Sequence, residues 1–211
     1  SVTGVGPIAA GFILACMSIT WPMSSALSGK LYLRIGFRNT ALAGTVMAIL
    51  GAGVFIFLPF PGPVWMLVST PLLLGAGFGL ISTPMLVGVQ SIVGWNKRGV
   101  VTGANMFSRY LGQTLGTAIF AAIFNSVLLS SLHHAPVAIA SKLPEANQVI
   151  ETLQSKNAAP QIQLFLRQTF HSAAHYVYAG LLITAVITLI FLLFTPEKFP
   201  VLENEQTGET G

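Results

Sequence analysis

The sequence predicts an all-α membrane protein with five transmembrane helices, and three observations carry that prediction. The first is composition: 53% of the 211 residues are hydrophobic, 8% are charged, and mean hydropathy is +0.75. A soluble domain carries about 25% charged residues. Six Glu and no Asp are too few acids to clothe a globular surface, so most side chains must face lipid or other apolar helices. The second is length: uninterrupted apolar runs of the ~20 residues that cross a bilayer occur at about 6–28, 41–60, 64–90, 100–129 and 173–195. The third is that the basic residues gather in the short connections between those runs. A net charge of +4 spread in this way, without interleaved aromatics, is not a nucleic-acid footprint, and no nucleic-acid partner is expected. The single Cys16 permits no internal disulfide and no CxxC site.

The first span carries Pro7 and Pro22, and Trp21 lies inside it rather than at an end. A buried indole N–H seeks a partner, so Trp21 is expected to face a polar cavity or a packed neighbour. The connection after it, "SGKLYLRIGFRNT", contains Lys30, Arg34 and Arg38. Gly29 and Gly36 favour a tight turn there, and Arg34 and Arg38 can meet anionic lipid or the carbonyls ending a helix. This loop is expected to act as a gate-side hinge. The second span ends in the PFPGP stretch, with a tight turn at 60–63.

The third span reads "STPLLLGAGFGLISTPMLVG". Gly75, Gly77 and Gly79 resemble a phosphate-binding loop in spacing alone. No strand precedes them and no acid follows, so the expectation is close helix packing. Each STP triplet, Ser69–Pro71 and Ser82–Pro84, frees a carbonyl that a neighbouring hydroxyl can re-satisfy, and a helix built this way bends. A short basic loop at Trp95–Gly99 follows.

The fourth span holds Arg109 with no acidic residue near it. At 100° per residue, Thr102, Asn105, Arg109, Gln113 and Gly116 fall within about 40° of one direction, and Gly112 borders them. A polar stripe on an apolar span avoids lipid, so it lines a neighbouring helix or a wet cavity. Arg109 stands ~15 Å along the helix from Gly99. Thr102, Asn105, Arg109 and Gln113 are therefore the candidate pathway residues, weighed against a structural role in which Arg109 bonds the carbonyls of a broken neighbour or a carboxylate elsewhere. The 130–172 segment mixes apolar and polar residues at helical spacing over Leu143–Lys156 and Gln161–Phe170, as short amphipathic helices do. The fifth span and an acidic, Gly-containing tail at 198–211, expected to be disordered, complete the chain.

Orientation follows from Lys and Arg. The 29–40 and 95–99 loops hold five of the ten basic residues, and Lys198 follows the last span. The predicted arrangement puts both loops and the C-terminus in the cytoplasm and the 130–172 loop outside, in a multi-pass protein of the cell membrane.

These features together resemble the major facilitator superfamily. The first basic loop is similar to that family's G-x-L-x-D-R-x-G-R-R motif through Gly29, Leu31, Arg34, Gly36 and Arg38, with Leu33 and Phe37 at its Asp and first closing Arg. "RGVVTGANMFSRYLGQTLGTAIF" resembles the R-G-x-x-x-G…R-x-L-G-x-x-x-G signature of the fourteen-spanning drug:proton antiporter branch. Arg98, Gly99, Gly103, Arg109, Gly112 and Gly116 match it, and Gly103, Gly112 and Gly116 are expected to serve helix packing. The resemblance implies the incomplete C-terminal six-helix bundle of a longer transporter whose N-terminal half is a missing partner. It also implies alternating access and proton-driven efflux of amphipathic or cationic small molecules. Siderophore, amino-acid or lipid export fits the same pattern. No cofactor is expected and a proton gradient is the expected energy source; the spans contain no acid, so either the proton carrier lies in the missing part or the protein is not proton-coupled.

Two other classes compete. An integral-membrane enzyme would need a nucleophile with a base or a metal cluster, and the candidates are His133–His134 and the i, i+4 pair His171/His175, without Cys or carboxylate beside them. The expectation is therefore no enzyme and no metal site. A scaffold or receptor subunit would not need the polar stripe or the two STP bends.

Overall fold

In the computed structural model, residues 7–57, 59, 63–136, 149 and 159–196 are described, and the side chains from Gly11 onward. They form five long helices: α1 (Pro7–Ile35), α2 (Phe37–Ile56), α3 (Val64–Ser91), α4 (Arg98–His133) and α5 (Pro160–Phe194). All five are long and apolar enough to cross a membrane. No strand occurs among the described residues.

Glycine decides which helix is central. At 100° per residue, Gly75 and Gly79 share one face of α3 while Gly77 points the opposite way. A Cβ on Gly75 would lie 2.9 Å from the Met17 carbonyl oxygen, and one on Gly79 2.6 Å from that of Trp21. A Cβ on Gly77 would lie 2.6 Å from the Gly44 carbonyl oxygen of α2. So α3 is gripped by α1 on one side and α2 on the other, with backbones in direct approach, as small residues permit. The pairs Gly75–Met17 and Gly79–Trp21 climb both helices together, so α1 and α3 run parallel. The Ser25–Thr83 hydroxyl pair continues the series. The α2–α3 contacts run oppositely, Gly44 against Gly77 and Gly51 against Leu73 and Leu74.

Helix α5 lies antiparallel on α2 and is tied at both ends. The Arg38 guanidinium donates to the carbonyls of Leu192 (3.1 Å) and Leu193 (2.7 Å), and at the other end His175 Nε2 bonds the Ile56 carbonyl. Helix α4 leans on α5, with Phe120 against Gly180 and Phe124 edge-on to Phe170. Direction alternates throughout. The connections at Gly36 and Gly94–Lys97 and the end of α5 thus share one end of the bundle, and Lys30, Arg34, Arg38, Lys97 and Arg98 gather there. At 1.5 Å per residue, the 36-residue α4 and 35-residue α5 are each more than ~50 Å long and overrun a ~30 Å hydrocarbon layer. Where they overrun it, Leu128, Ile162 and Leu166 pack with Val149 into a small separate core.

The structure corrects several sequence boundaries. The loop expected at 29–40 is one residue long: α1 runs through Gly29 and Arg34 to Ile35, α2 starts at Phe37, and Arg38 belongs to it. "GKLYLRI" contains nothing that stops a helix. Gly36 does, with φ 86°, a left-handed value open to glycine and expensive for other residues. The 95–99 loop is a single 3₁₀ turn, Trp95–Lys97, braced by Arg98 lying 4.7 Å over the Trp95 ring. Gln161–Phe170 is not a separate surface helix but the first third of α5, with Pro160 at its start. Leu143–Lys156, Val149 apart, and the 198–211 tail lie outside the described residues.

The hydroxyls of the STP triplets behave partly as expected. Ser69 and Thr70 both bond the Met66 carbonyl, at 3.0 and 3.1 Å, and Ser82 reaches Gly79 at 3.4 Å. Each of these carbonyls is the neighbour of the one its proline vacates. Thr83 turns away from its own helix to Ser25.

Candidate functional site

Helix α4 touches α3 lightly, and the space this leaves is a cleft of about 440 Å³ between α1, α3 and α4. Its walls are mostly apolar, with Trp21 from α1, Phe78 and Met85 from α3 and Met106 from α4. Asn105 and Arg109 enter from α4, and Ser82 and Ser108 supply hydroxyls. The Arg109 guanidinium carbon lies 5.4 Å over the centre of the Trp21 ring, which is tilted 46° to Phe78 with ring centres 5.8 Å apart. A cation over an indole face is held by the ring quadrupole. The contact holds the guanidinium at the cleft wall.

The polar stripe therefore splits. Thr102 lies at the basic end, where Gln90 Nε2 donates to its hydroxyl (2.7 Å) and that hydroxyl donates to the Arg98 carbonyl. Asn105 and Arg109 line the cleft. Gln113 lies a turn beyond it on an exposed stretch, its carbonyl accepting the Thr117 hydroxyl. Gly103, Gly112 and Gly116, expected to pack against neighbours, have nothing within 4 Å of where a Cβ would stand. The i, i+4 rule places such residues on a face but cannot say whether a partner covers it. Gln90 and Met85 were not singled out by the sequence, and Ser82 was noted there only as part of a helix bend. Gln90 is the lone amide of α3 and its signal was available. As cleft residues, Ser82 and Met85 are visible only once α3 and α4 meet.

The four residues of the expected hinge do not form a cluster. Gly36 makes the turn, its N–H bonding the Tyr32 carbonyl (2.9 Å), and its own carbonyl accepts from the Thr40 hydroxyl (2.9 Å). Arg38 reaches helix C-terminal carbonyls, one of the two partners expected for it, and they belong to α5. Gly29 and Arg34 sit on α1, before the break.

A second hollow, about 460 Å³, lies at the opposite end of the bundle beside His171, His175 and Ile56. The two rings are 4.6 Å apart. A carbonyl only accepts, so the Ile56 contact puts the proton of His175 on Nε2. One nitrogen of the pair thus clasps α5 to the end of α2. No group of three or more His, Cys, Asp or Glu occurs among the described residues.

Comparison with known proteins agrees with this architecture. The sequence pattern of the Major Facilitator Superfamily matches residues 1–117. The multidrug transporter protein MdtP of Bacillus subtilis is 24% identical over 99% of this chain and 43% of its own length. The multidrug resistance protein Stp of Mycobacterium tuberculosis is 30% identical over 63% of this chain and 24% of its own. A tetracycline resistance determinant of Streptomyces rimosus is 29% identical over 62% of this chain and 38% of its own. The chain spans less than half the length of these curated relatives. With more than half of its residues matched by the family pattern and five membrane-length helices packed through their glycines, the chain belongs to the major facilitator superfamily.

Proposed function

We propose that this chain is part of a multi-pass cell-membrane transporter that exports amphipathic small molecules by alternating access, driven by a proton gradient. The observation that carries the proposal is the cleft itself: an apolar chamber between loosely joined helices, with a single guanidinium and a few hydroxyl and amide groups set in its wall. Such a chamber, mostly apolar with few convergent polar groups, is the ordinary form of a small-molecule site. The relatives named for multidrug transport and resistance support the same reading. Of the two cargo types expected from the sequence, amphipathic bodies match the lining; a cation would meet Arg109. The looseness of the α3–α4 contact, beside the tight α1–α3 grip, gives one side of the cleft freedom to move, which alternating access requires. The proton carrier is assigned to a part of the protein outside these five helices, because none of them contains an acidic residue.

The basic end is assigned to the cytoplasm, with the C-terminus on that side and the 130–172 segment outside. An impermeant thiol reagent added to intact cells should label a cysteine placed at His134 and spare one placed at Asn39. Labelling at Asn39 alone reverses the assignment, and labelling of both overturns the topology.

Dye counterflow in proteoliposomes of the full-length protein tests transport. Arg109→Ala should insert and fold, since removing a membrane charge eases insertion, and should abolish counterflow. Arg109→Lys keeps the charge without the planar fork and should transport weakly. Normal counterflow in Arg109→Ala would make the residue structural. A scaffold shows no counterflow at all.

A further inference from the structure

We infer that the cleft between α1, α3 and α4 selects aromatic monoanions, an apolar ring system bearing one carboxylate or sulfonate, rather than cations. The inference rests on the proposed pathway and specifies its cargo. Arg109 is the one ionisable group among the residues lining the cleft. No acidic residue occurs among the described residues, so no described carboxylate neutralises the guanidinium or offers a cation a counter-charge. Its aromatic partner is the Trp21 ring. That contact is to an uncharged ring face, and a guanidinium fork can make two parallel bonds to an oxyanion. Asn105 stands one turn before it on the same helix face, and Ser82 and Ser108 bring hydroxyls to the same space. Asn105 and Ser108 can donate to an anionic oxygen, and Ser82 can on giving up its long 3.4 Å bond to the Gly79 carbonyl.

The rest of the wall sets the body of the cargo. Trp21 and Phe78 offer ring faces, and Met85 and Met106 offer flexible thioethers that adapt to differently shaped ring systems. One guanidinium matches one negative charge. A phosphate-like dianion would leave a charge unpaired in an apolar chamber, which is costly. A hydrophobic cation would find the ring faces but would share Trp21 with a guanidinium already there, at like charge.

The test uses purified full-length transporter and three probes with the same ring system. These are 2-naphthalenesulfonate, the trimethyl(2-naphthylmethyl)ammonium ion and neutral 2-naphthylmethanol. Calorimetric affinities are measured in detergent, and counterflow of the two ions in proteoliposomes. The wild type should bind the sulfonate at least about tenfold more tightly than the ammonium ion, as a full reversal of charge beside a desolvated guanidinium requires. Arg109→Gln should erase that preference and leave the neutral probe within about twofold, while Arg109→Lys should keep most of it. If the wild type binds the ammonium ion as tightly as the sulfonate, and Arg109→Gln still changes binding or counterflow of either ion, the anion assignment is overturned and the pathway stands. If Arg109→Gln changes neither binding nor counterflow of any probe, both fall. Should Arg109→Gln not yield monodisperse protein, the wild-type ratio decides, and a ratio below about tenfold overturns the proposal.

Discussion

Helices α3 and α4 carry the same device, glycines spaced along an apolar span, and put it to opposite uses. On α3, Gly75, Gly77 and Gly79 lie so close to α1 and α2 that an added Cβ would stand under 3.0 Å from backbone atoms. On α4, Gly103, Gly112 and Gly116 meet open space. The first set welds a three-helix slab. The second lies on a helix held mainly through α5 and through its polar contacts with α1 and α3. Small residues therefore permit close approach without causing it. What separates the two regions is whether the facing helix also presents small or bare backbone positions: α2 offers Gly44 and Ala48, whereas α4 faces Trp21, Phe78 and Met85, which hold the helices apart and open the cleft.

The comparison breaks most easily at α3. Gly79→Ala places a methyl 2.6 Å from the Trp21 carbonyl oxygen and 2.8 Å from the Ser25 nitrogen, atoms that cannot swing aside. Overpacking against backbone should destabilise the protein by about 3 kcal/mol. Thermal unfolding in detergent should show a clear fall in Tm for Gly79→Ala and for Gly77→Ala. An unchanged Tm for both would mean the slab is not held as described.

Arg38 comes next. Arg38→Gln removes two charge-assisted bonds to the last turn of α5, and the loss should be about 1.5–3 kcal/mol. Proteolysis or hydrogen exchange should show α5 loosened at that end while α1 and α3 keep their protection. Uniform loosening would place Arg38 in the slab rather than at its edge.

Gly36→Ala introduces a side chain at φ 86° and should destabilise by about 1–2 kcal/mol. Gly36→Val is worse, being β-branched. Since this is the single break between α1 and α2, transport should slow in Gly36→Val while sulfonate affinity stays within a few-fold. Lost affinity in protein of normal Tm would argue against a hinge.

The smallest effect sharpens the contrast. Gly112→Ala meets nothing within 4 Å and raises helix propensity, so it should change stability by less than about 1 kcal/mol, in the stabilising direction. A fall comparable to that of Gly79→Ala would show that a segment outside the described residues packs onto α4, and the two helices would then be alike.

The sequence by itself determined the class of protein, the number of spans and the shared end of the basic residues. Those follow from the energetics of a single residue against hydrocarbon, which needs no partner. It also placed Arg109 and Asn105 on one face and singled out Trp21 as wanting a polar neighbour, because helix periodicity and an indole N–H are local properties. The tertiary structure decided the rest. It showed that the 29–40 loop is one left-handed glycine and that Gln161–Phe170 belongs to the last helix. It showed too that Arg38 ends its reach on α5, that Gln113 stands away from the cleft, and that of two glycine sets one is welded and the other open. Each of these depends on what lies opposite a residue. That is a property of pairs of helices, and a single chain read in order does not contain it.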